Sequence, residues 1–508
     1  MRTAERLVAR LTDPARGERT VALLLIGYVL VWTLYAALAN AGSSISPDMG
    51  EALAWSRDLA FGYPKHPPLM AWIAGLWFAV FPLADWAYYL LSMVLAAVTL
   101  WFSWAVLGDY LSNEKRVVGL ALLTLVPFYN ILALNFNADT VQLPFWAATT
   151  YWFLRALRTN DTKYAALAGL GAAACMLGKY WSIMLLLGLA AAALVSPHRR
   201  DFFRARAPWV TVAVGALAFA PNLVWLWEHD FSPFAYATGK HVTSSFSTVL
   251  QRALHYTAVI VGLAAVSAAL VALAARPKLS TCAEMRWPSE PERRVTLVAF
   301  ILPLLLLPLA LALIFHVELW VRWAIPAMGL LPVVLLSPGG ITLGRKAVTR
   351  LVTLAVVFPF VMVGLAPLIA MGFHLRGNER DVFIEQFQLI AQDVDRTWRD
   401  TTHLPMRLFA SNARKLNGSV FYLADKPSAF DLDAPNDTPW ASEERIARDG
   451  AALVCWLGDE PCLTAMNALA AKAPLVRTRE VDISRQFWGI AGKPMRYRIV
   501  IILPRSNG

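Results

Sequence analysis

A series of apolar runs nearly free of charge constrains this chain more than any other feature. Val21–Asn40, Trp209–Trp227 and Leu351–Met371 are each about 20 residues long, the length that crosses the hydrocarbon core of a bilayer. Hydrophobic residues make up 57% of the chain and charged residues 16%, whereas soluble domains carry about a quarter charged residues. Met1–Thr20 holds Arg2, Arg6, Arg10, Arg16 and Arg19. The run after it is longer than a signal-peptide core, with no clear cleavage site, so it reads as a retained first span. Four cysteines in 508 residues give no disulfide framework.

Twelve apolar segments stand out: 21–40, 69–84, 87–107, 117–134, 140–157, 164–178, 180–195, 208–227, 254–275, 296–315, 322–338 and 351–371. If all twelve cross, the basic loops at Lys115–Arg116 and Arg199–Arg206 lie outside, against the positive-inside rule. Segment 69–84 is short and follows Pro64, Pro67 and Pro68. With eleven crossings and that segment lying along the membrane, the inner connections hold 22 Lys/Arg and the outer ones before residue 372 hold 6. The N-terminus is then inside and residues 372–508 outside. The net charge of +11 is mostly a topology signal, and no nucleic-acid partner is expected. Hence the expected fold is an all-α polytopic membrane domain, 1–371, with about 11 transmembrane helices and a first outer loop at 41–85 that carries juxtamembrane helices.

From Gly372 the pattern changes. Asn378–Thr401 reads as an amphipathic helix, and Glu443–Arg448 and Leu463–Lys472 as further helices. Arg407–Ala410, Val420–Leu423, Ala451–Trp456 and Tyr497–Leu503 read as short strands. Residues 372–508 are thus expected to form a small soluble α/β domain. Cys455 and Cys462 can pair in an oxidising compartment or remain free thiols. No catalytic constellation is legible in this tail.

Charged residues beside spans are costly and are candidate site residues. In the outer loop, Pro47 can start a helix that puts Asp48 and Glu51 on one face. Asp48 serves equally well as a general base or as an acid that favours a helix start. Lys65 and His66 precede an apolar helix in a Lys-His-Pro-Pro turn, where a cation suits a lipid phosphate or simply snorkels. Asp139 suits a site or an N-cap. Lys179 breaks an apolar stretch and can meet an anion or mark a hairpin tip. His241 lies in a Phe/Tyr/Ser-rich loop, and Arg322 can hold a phosphate bidentately. Gly169-Leu-Gly171 mimics a dinucleotide fingerprint, but no strand precedes it, so it reads as close helix packing. The His and carboxylate residues lack compact metal-ligand spacing; no metal ligands are assigned and no cofactor is required, though a divalent metal is compatible.

The acidic helix with Asp48, the Lys65-His66-Pro67-Pro68 turn, Asn137-Ala-Asp139 and Gly178-Lys179 resemble the GT-C glycosyltransferases, in the branch of the protein O-mannosyltransferases and lipid A aminoarabinose transferases (families 39 and 83). The resemblance covers about residues 20–330. It implies a multi-pass bacterial inner-membrane enzyme with a cytoplasmic N-terminus and a periplasmic C-terminal domain. It also implies transfer of a sugar from a polyprenyl-phosphate carrier to lipid A, another envelope glycan or a protein, with inversion at the anomeric centre. Asp48 then becomes the catalytic base and Asp139 a second acidic site position. Lys179 and His241 match a lysine and a histidine of the family, and with Glu51, Lys65, His66 and Arg322 they are the candidate substrate and lipid-phosphate ligands. Lys65-His66-Pro67 departs from the Glu-Lys-Pro of the aminoarabinose branch, and Met49 follows Asp48 where an acidic pair is usual. The rival reading is a transporter or flippase for a lipid-linked sugar, which would place polar groups along a path at the midplane, often in repeated halves.

Overall fold

In lipid, a spanning segment must satisfy its own backbone hydrogen bonds, which favours helices. The computed structural model describes residues 2–275, 290–376, 386–473 and 475–505. Among them, six helices are long and apolar enough to cross a membrane: Gly17–Ala39, Asp85–Tyr110, Ala207–Glu228, Phe246–Ala274, Pro291–Phe315 and Arg345–Leu375. A seventh candidate, Asn113–Leu125 with Pro127–Leu134, bends by 76°, where Pro127 cannot continue the helical hydrogen bonding. The other four of the eleven expected crossings correspond to shorter helices: Leu143–Thr159, Thr162–Gly178, Tyr180–Val195 and Val321–Leu336. Part of the basic connection 276–295 lies outside the described residues. Leu69–Phe78 has only 10 residues, about 15 Å of helix, too short to span. Its Leu76 is 75% exposed.

The chain forms two compact units. The first comprises Met1–Thr33, Leu90–Leu134 and Ala138–Met362; the second comprises Leu34–Tyr89, Asn135–Asn137 and Val363–Gly508. Residues 41–85, the expected first outer loop, therefore group with the C-terminal residues.

Within the first unit, the glycines of the false fingerprint lie inside helix Thr162–Gly178. A methyl group at Gly169 would sit 2.5 Å from the Thr211 carbonyl and 3.0 Å from the Gly215 nitrogen. These small residues let two helix backbones touch, as membrane packing favours.

The second unit contains a five-stranded sheet in the order β2-β1-β3-β7-β4. Its strands are β1 (Leu408–Ser411), β2 (Ser428–Asp431), β3 (Ala451–Trp456), β4 (Val476–Ile483) and β7 (Met495–Ile502). β1 runs parallel to β2 and β3, and β7 runs antiparallel to β3 and β4. Alternate residues serve opposite faces. Phe409, Val454 and Ile499 pack with Phe387, Ile390, Val394 and Trp398 of helix Phe387–Arg399. Leu408, Leu453 and Val500 pack with Cys462 and Met466 on the other side. A separate hairpin, β5 (Gln486–Phe487) and β6 (Ile490–Ala491), leads into β7.

The expected strand at Val420–Leu423 is not formed. Asn412 accepts a hydrogen bond from the Lys415 amide and caps helix Ala413–Val420, which ends where that strand was expected. An N-cap of this kind outweighs a short β-prone run. Strand β2, missing from the sequence reading, takes the sheet position instead. The expected helix from Asn378 begins outside the described residues and is seen from Phe387. Cys455 and Cys462 are joined by a disulfide.

Candidate functional site

The charged residues singled out from the sequence gather into one cluster in each unit. In the first unit, Lys179 follows the last residue of helix Thr162–Gly178, where the backbone turns extended. Ser182 donates its amide to the Lys179 carbonyl over 2.9 Å and so starts the next helix. Lys179 Nζ bonds Oδ1 of the buried Asp139. Arg322, at the start of the 3-10 segment Val321–Leu330, lies 3.6 Å from Oδ2 of the same carboxylate. One acid thus holds two cations, and the Arg322 side chain remains 45% exposed.

His241 ends helix Ser232–His241. Its carbonyl accepts the Glu318 amide over 2.7 Å, and the Thr243 amide donates to the His316 carbonyl over 3.1 Å. These bonds lock the loop against residues 316–318. The imidazole meets the Trp323 ring edge-on at 5.1 Å, and Lys179 Nζ lies 5.1 Å from the same ring. Burial, then the positive charges of Lys179, Lys240 and Arg322, push the His241 pKa down to about 4, with Asp139 opposing. The ring is therefore neutral at pH 7. A cluster of two cations, one acid and a neutral imidazole suits a polyanion such as a phosphate.

In the second unit, Ser46 caps helix Pro47–Ser56, with Pro47 in the first turn and Asp48 after it. Glu51 lies one turn on, buried. Its Oε1 is 3.3 Å from Lys65 Nζ and accepts a 3.1 Å bond from Asn417. Lys65 Nζ also reaches Asp437 at 3.2 Å. Burial raises the Glu51 pKa most, Lys65 lowers it, and Asp48 and Asp437 raise it again. The His66 ring lies 6.1 Å from Trp55. Arg57 donates to the Pro427 carbonyl over 2.7 Å and to the Val420 carbonyl over 3.3 Å, and burial lowers its pKa to about 10.

The structure thus brings Asp139, Lys179, His241 and Arg322 together in one unit, and Asp48, Glu51, Lys65 and His66 into one loop region of the other. Sequence reading missed Trp323, Asn417 and Asp437. Trp320 and Trp323 flank Arg322, an aromatic setting for a cation that was legible. Asn417 and Asp437 lie more than 350 residues after Glu51, in helix Ala413–Val420 and a 3-10 turn, with no local pattern linking them to it. Among the described residues, no group of three or more His, Cys, Asp or Glu side chains is placed to hold a metal ion.

Residues 65–225 match the family described as dolichyl-phosphate-mannose-protein mannosyltransferase. The lipid A galacturonosyltransferase RgtD of Rhizobium johnstonii is 24% identical over 254 residues, 48% of this chain; the match spans 50% of that relative's length. The crystal structure of ArnT from Cupriavidus metallidurans bound to undecaprenyl phosphate aligns with a TM-score of 0.60 at 14% identity, over 96% of this chain and 98% of that one. The apo form aligns with a TM-score of 0.60 at 13% identity, over 94% and 97%. The matched family model and curated relative are glycosyltransferases, and the solved structures show that this chain shares the fold of ArnT. In this chain that fold comprises several apolar helices and a small C-terminal sheet domain.

Proposed function

We propose that this chain transfers a sugar from a polyprenyl-phosphate carrier to an envelope acceptor, with lipid A the favoured acceptor. The carrying observation is the cluster of Lys179 and Arg322 on the two oxygens of Asp139, beside the neutral His241. Two relatives support the chemistry: an ArnT was crystallised with undecaprenyl phosphate, and RgtD is named a lipid A galacturonosyltransferase.

In this reading, Lys179 and Arg322 hold the carrier phosphate and stabilise it as it leaves. Asp139 is the counter-charge that orients both cations. Asp48 is the general base. It takes the proton of the acceptor hydroxyl, whose oxygen attacks the anomeric carbon on the face opposite the phosphate. The carbon–oxygen bond to the phosphate breaks, its electron pair leaves with the polyprenyl phosphate, and the anomeric centre inverts. Glu51, Lys65 and His66 bind the polar part of the substrates.

The protein is proposed to sit in the bacterial inner membrane with its C-terminal domain in the periplasm. The excess of Lys/Arg in alternate connections supports that orientation. Mass spectrometry of lipid A from cells with and without the gene tests the proposal. One glycosyl unit should disappear with the gene, return with the native chain and stay absent with Asp48→Asn. A lipid A profile indifferent to the gene contradicts lipid A as the acceptor.

A further inference from the structure

The C-terminal domain carries an exposed aromatic tip that the transfer chemistry does not use. β5 and β6 pair Gln486 with Ala491 and Phe487 with Ile490. Their two-residue turn is Trp488-Gly489, both with positive φ, 48° and 78°. That is the hairpin turn whose twist matches the strands, and it favours glycine in the second place. Trp488 is 68% exposed and Ile490 44% exposed, while Phe487 beneath is buried and stacks on Trp488 at 5.3 Å. A tryptophan side chain held out of a soluble core by a stiff turn is a costly surface unless something covers it.

Two contacts tie the base of this hairpin to helix ends within the second unit. His374 Nε2 donates to the Ile490 carbonyl over 3.1 Å, and His374 lies in the last turn of the apolar helix Arg345–Leu375. Arg485 Nη2 donates to the Ala41 carbonyl over 3.2 Å, two residues past the end of the apolar helix Gly17–Ala39. A methyl on Gly42, φ +70°, would meet the Phe487 ring at 3.1 Å. The base of the hairpin is therefore tied to the ends of two candidate spans, all within the second unit. The ends of membrane helices lie at the headgroup level, where Trp rings, half apolar and half polar, concentrate. Lys493 and Gln486, both exposed, add polar and cationic groups suited to that layer.

We infer that the β5–β6 hairpin is an interfacial anchor, seating Trp488 and Ile490 among the phospholipid headgroups beside these two helix ends. It holds the C-terminal sheet domain at a fixed height on the bilayer. The occupant of the surface is phospholipid, because the hairpin is bonded at the ends of two helices that are long and apolar enough to cross a membrane.

The test replaces Trp488 with the photo-crosslinker p-benzoylphenylalanine in the full chain, reconstituted in phosphatidylethanolamine–phosphatidylglycerol nanodiscs. The lipid-facing Leu217, 75% exposed on a span, is the positive control, and the exposed Lys472 on the sheet domain is the negative one. Irradiation should give phospholipid adducts at 488 and at 217 and none at 472. Position 488 behaving like 472, or linking only to a second copy of the chain, overturns the inference. Trp488→Phe, which preserves the fold, supplies a second reading. Brominated lipid should quench less of its tryptophan emission than of the native chain's, and equal quenching would contradict the anchor.

Discussion

Lys179 and Arg322 approach Asp139 on its two oxygens, so each cation is oriented before any ligand arrives. A hydrogen bond to a charged group contributes about 1.5–3 kcal/mol. Arg322→Ala should therefore lower kcat/KM for the carrier-linked sugar by about 10- to 150-fold, measured by initial rates at varied donor. Asp48→Asn should abolish transfer while carrier binding, read by equilibrium binding of polyprenyl phosphate, stays intact. Near-normal turnover would reject Asp48 as the base. His241 makes a prediction with a definite sign. Its pKa is depressed to about 4, below the ordinary value of about 6.5, so the fold favours the neutral ring. The stability this contributes is complete above about pH 6.5 and is lost as pH falls towards about 4. His241→Gln should flatten the fall of thermal stability across that window. Of the site, the cations and acids beside the spans were legible, because charge is rare there and so conspicuous. Asn417 and Asp437 were not, because they meet Lys65 and Glu51 only through the fold of a distant stretch of chain.

At the level of elements, helix Pro47–Ser56 and helix Ala413–Val420 touch backbone to backbone, and a methyl on Gly50 would overlap the Asn417 carbonyl. Gly50→Ala should force the two helices apart, loosen the Asn417–Glu51 bond and destabilise the chain by about 1–3 kcal/mol. The check is calorimetric or fluorescence-monitored unfolding in nanodiscs, with Gly239→Ala, which meets nothing within 4 Å, as the control. The same region shows where pattern reading fails. Val420–Leu423 looks like a strand when its neighbours are ignored, yet Asn412 starts a helix eight residues earlier. Ala451–Trp456 was legible because it is a continuous apolar run whose residues serve both faces of the sheet. β2, Ser-Ala-Phe-Asp, was not legible because polar residues sit at both its ends and leave no apolar run.

Across the whole molecule, hydropathy located the apolar helices well, but not their lengths. Several segments that pass as spans by composition are 3-10 turns, short helices or the bent pair at Pro127, since proline and packing interrupt them without changing their apolar character. The grouping of residues 34–89 with the C-terminal sheet domain was hidden for the same reason that Asn417 was. The central claim is group transfer from a lipid-phosphate carrier, and reconstitution tests it most directly. Purified chain in proteoliposomes is given a labelled polyprenyl-phosphate sugar and lipid A, and both lipids are followed by mass spectrometry. Free polyprenyl phosphate appearing one-for-one with glycosylated lipid A is the predicted result. Carrier that crosses between leaflets with its sugar still attached, and lipid A unchanged, would contradict it.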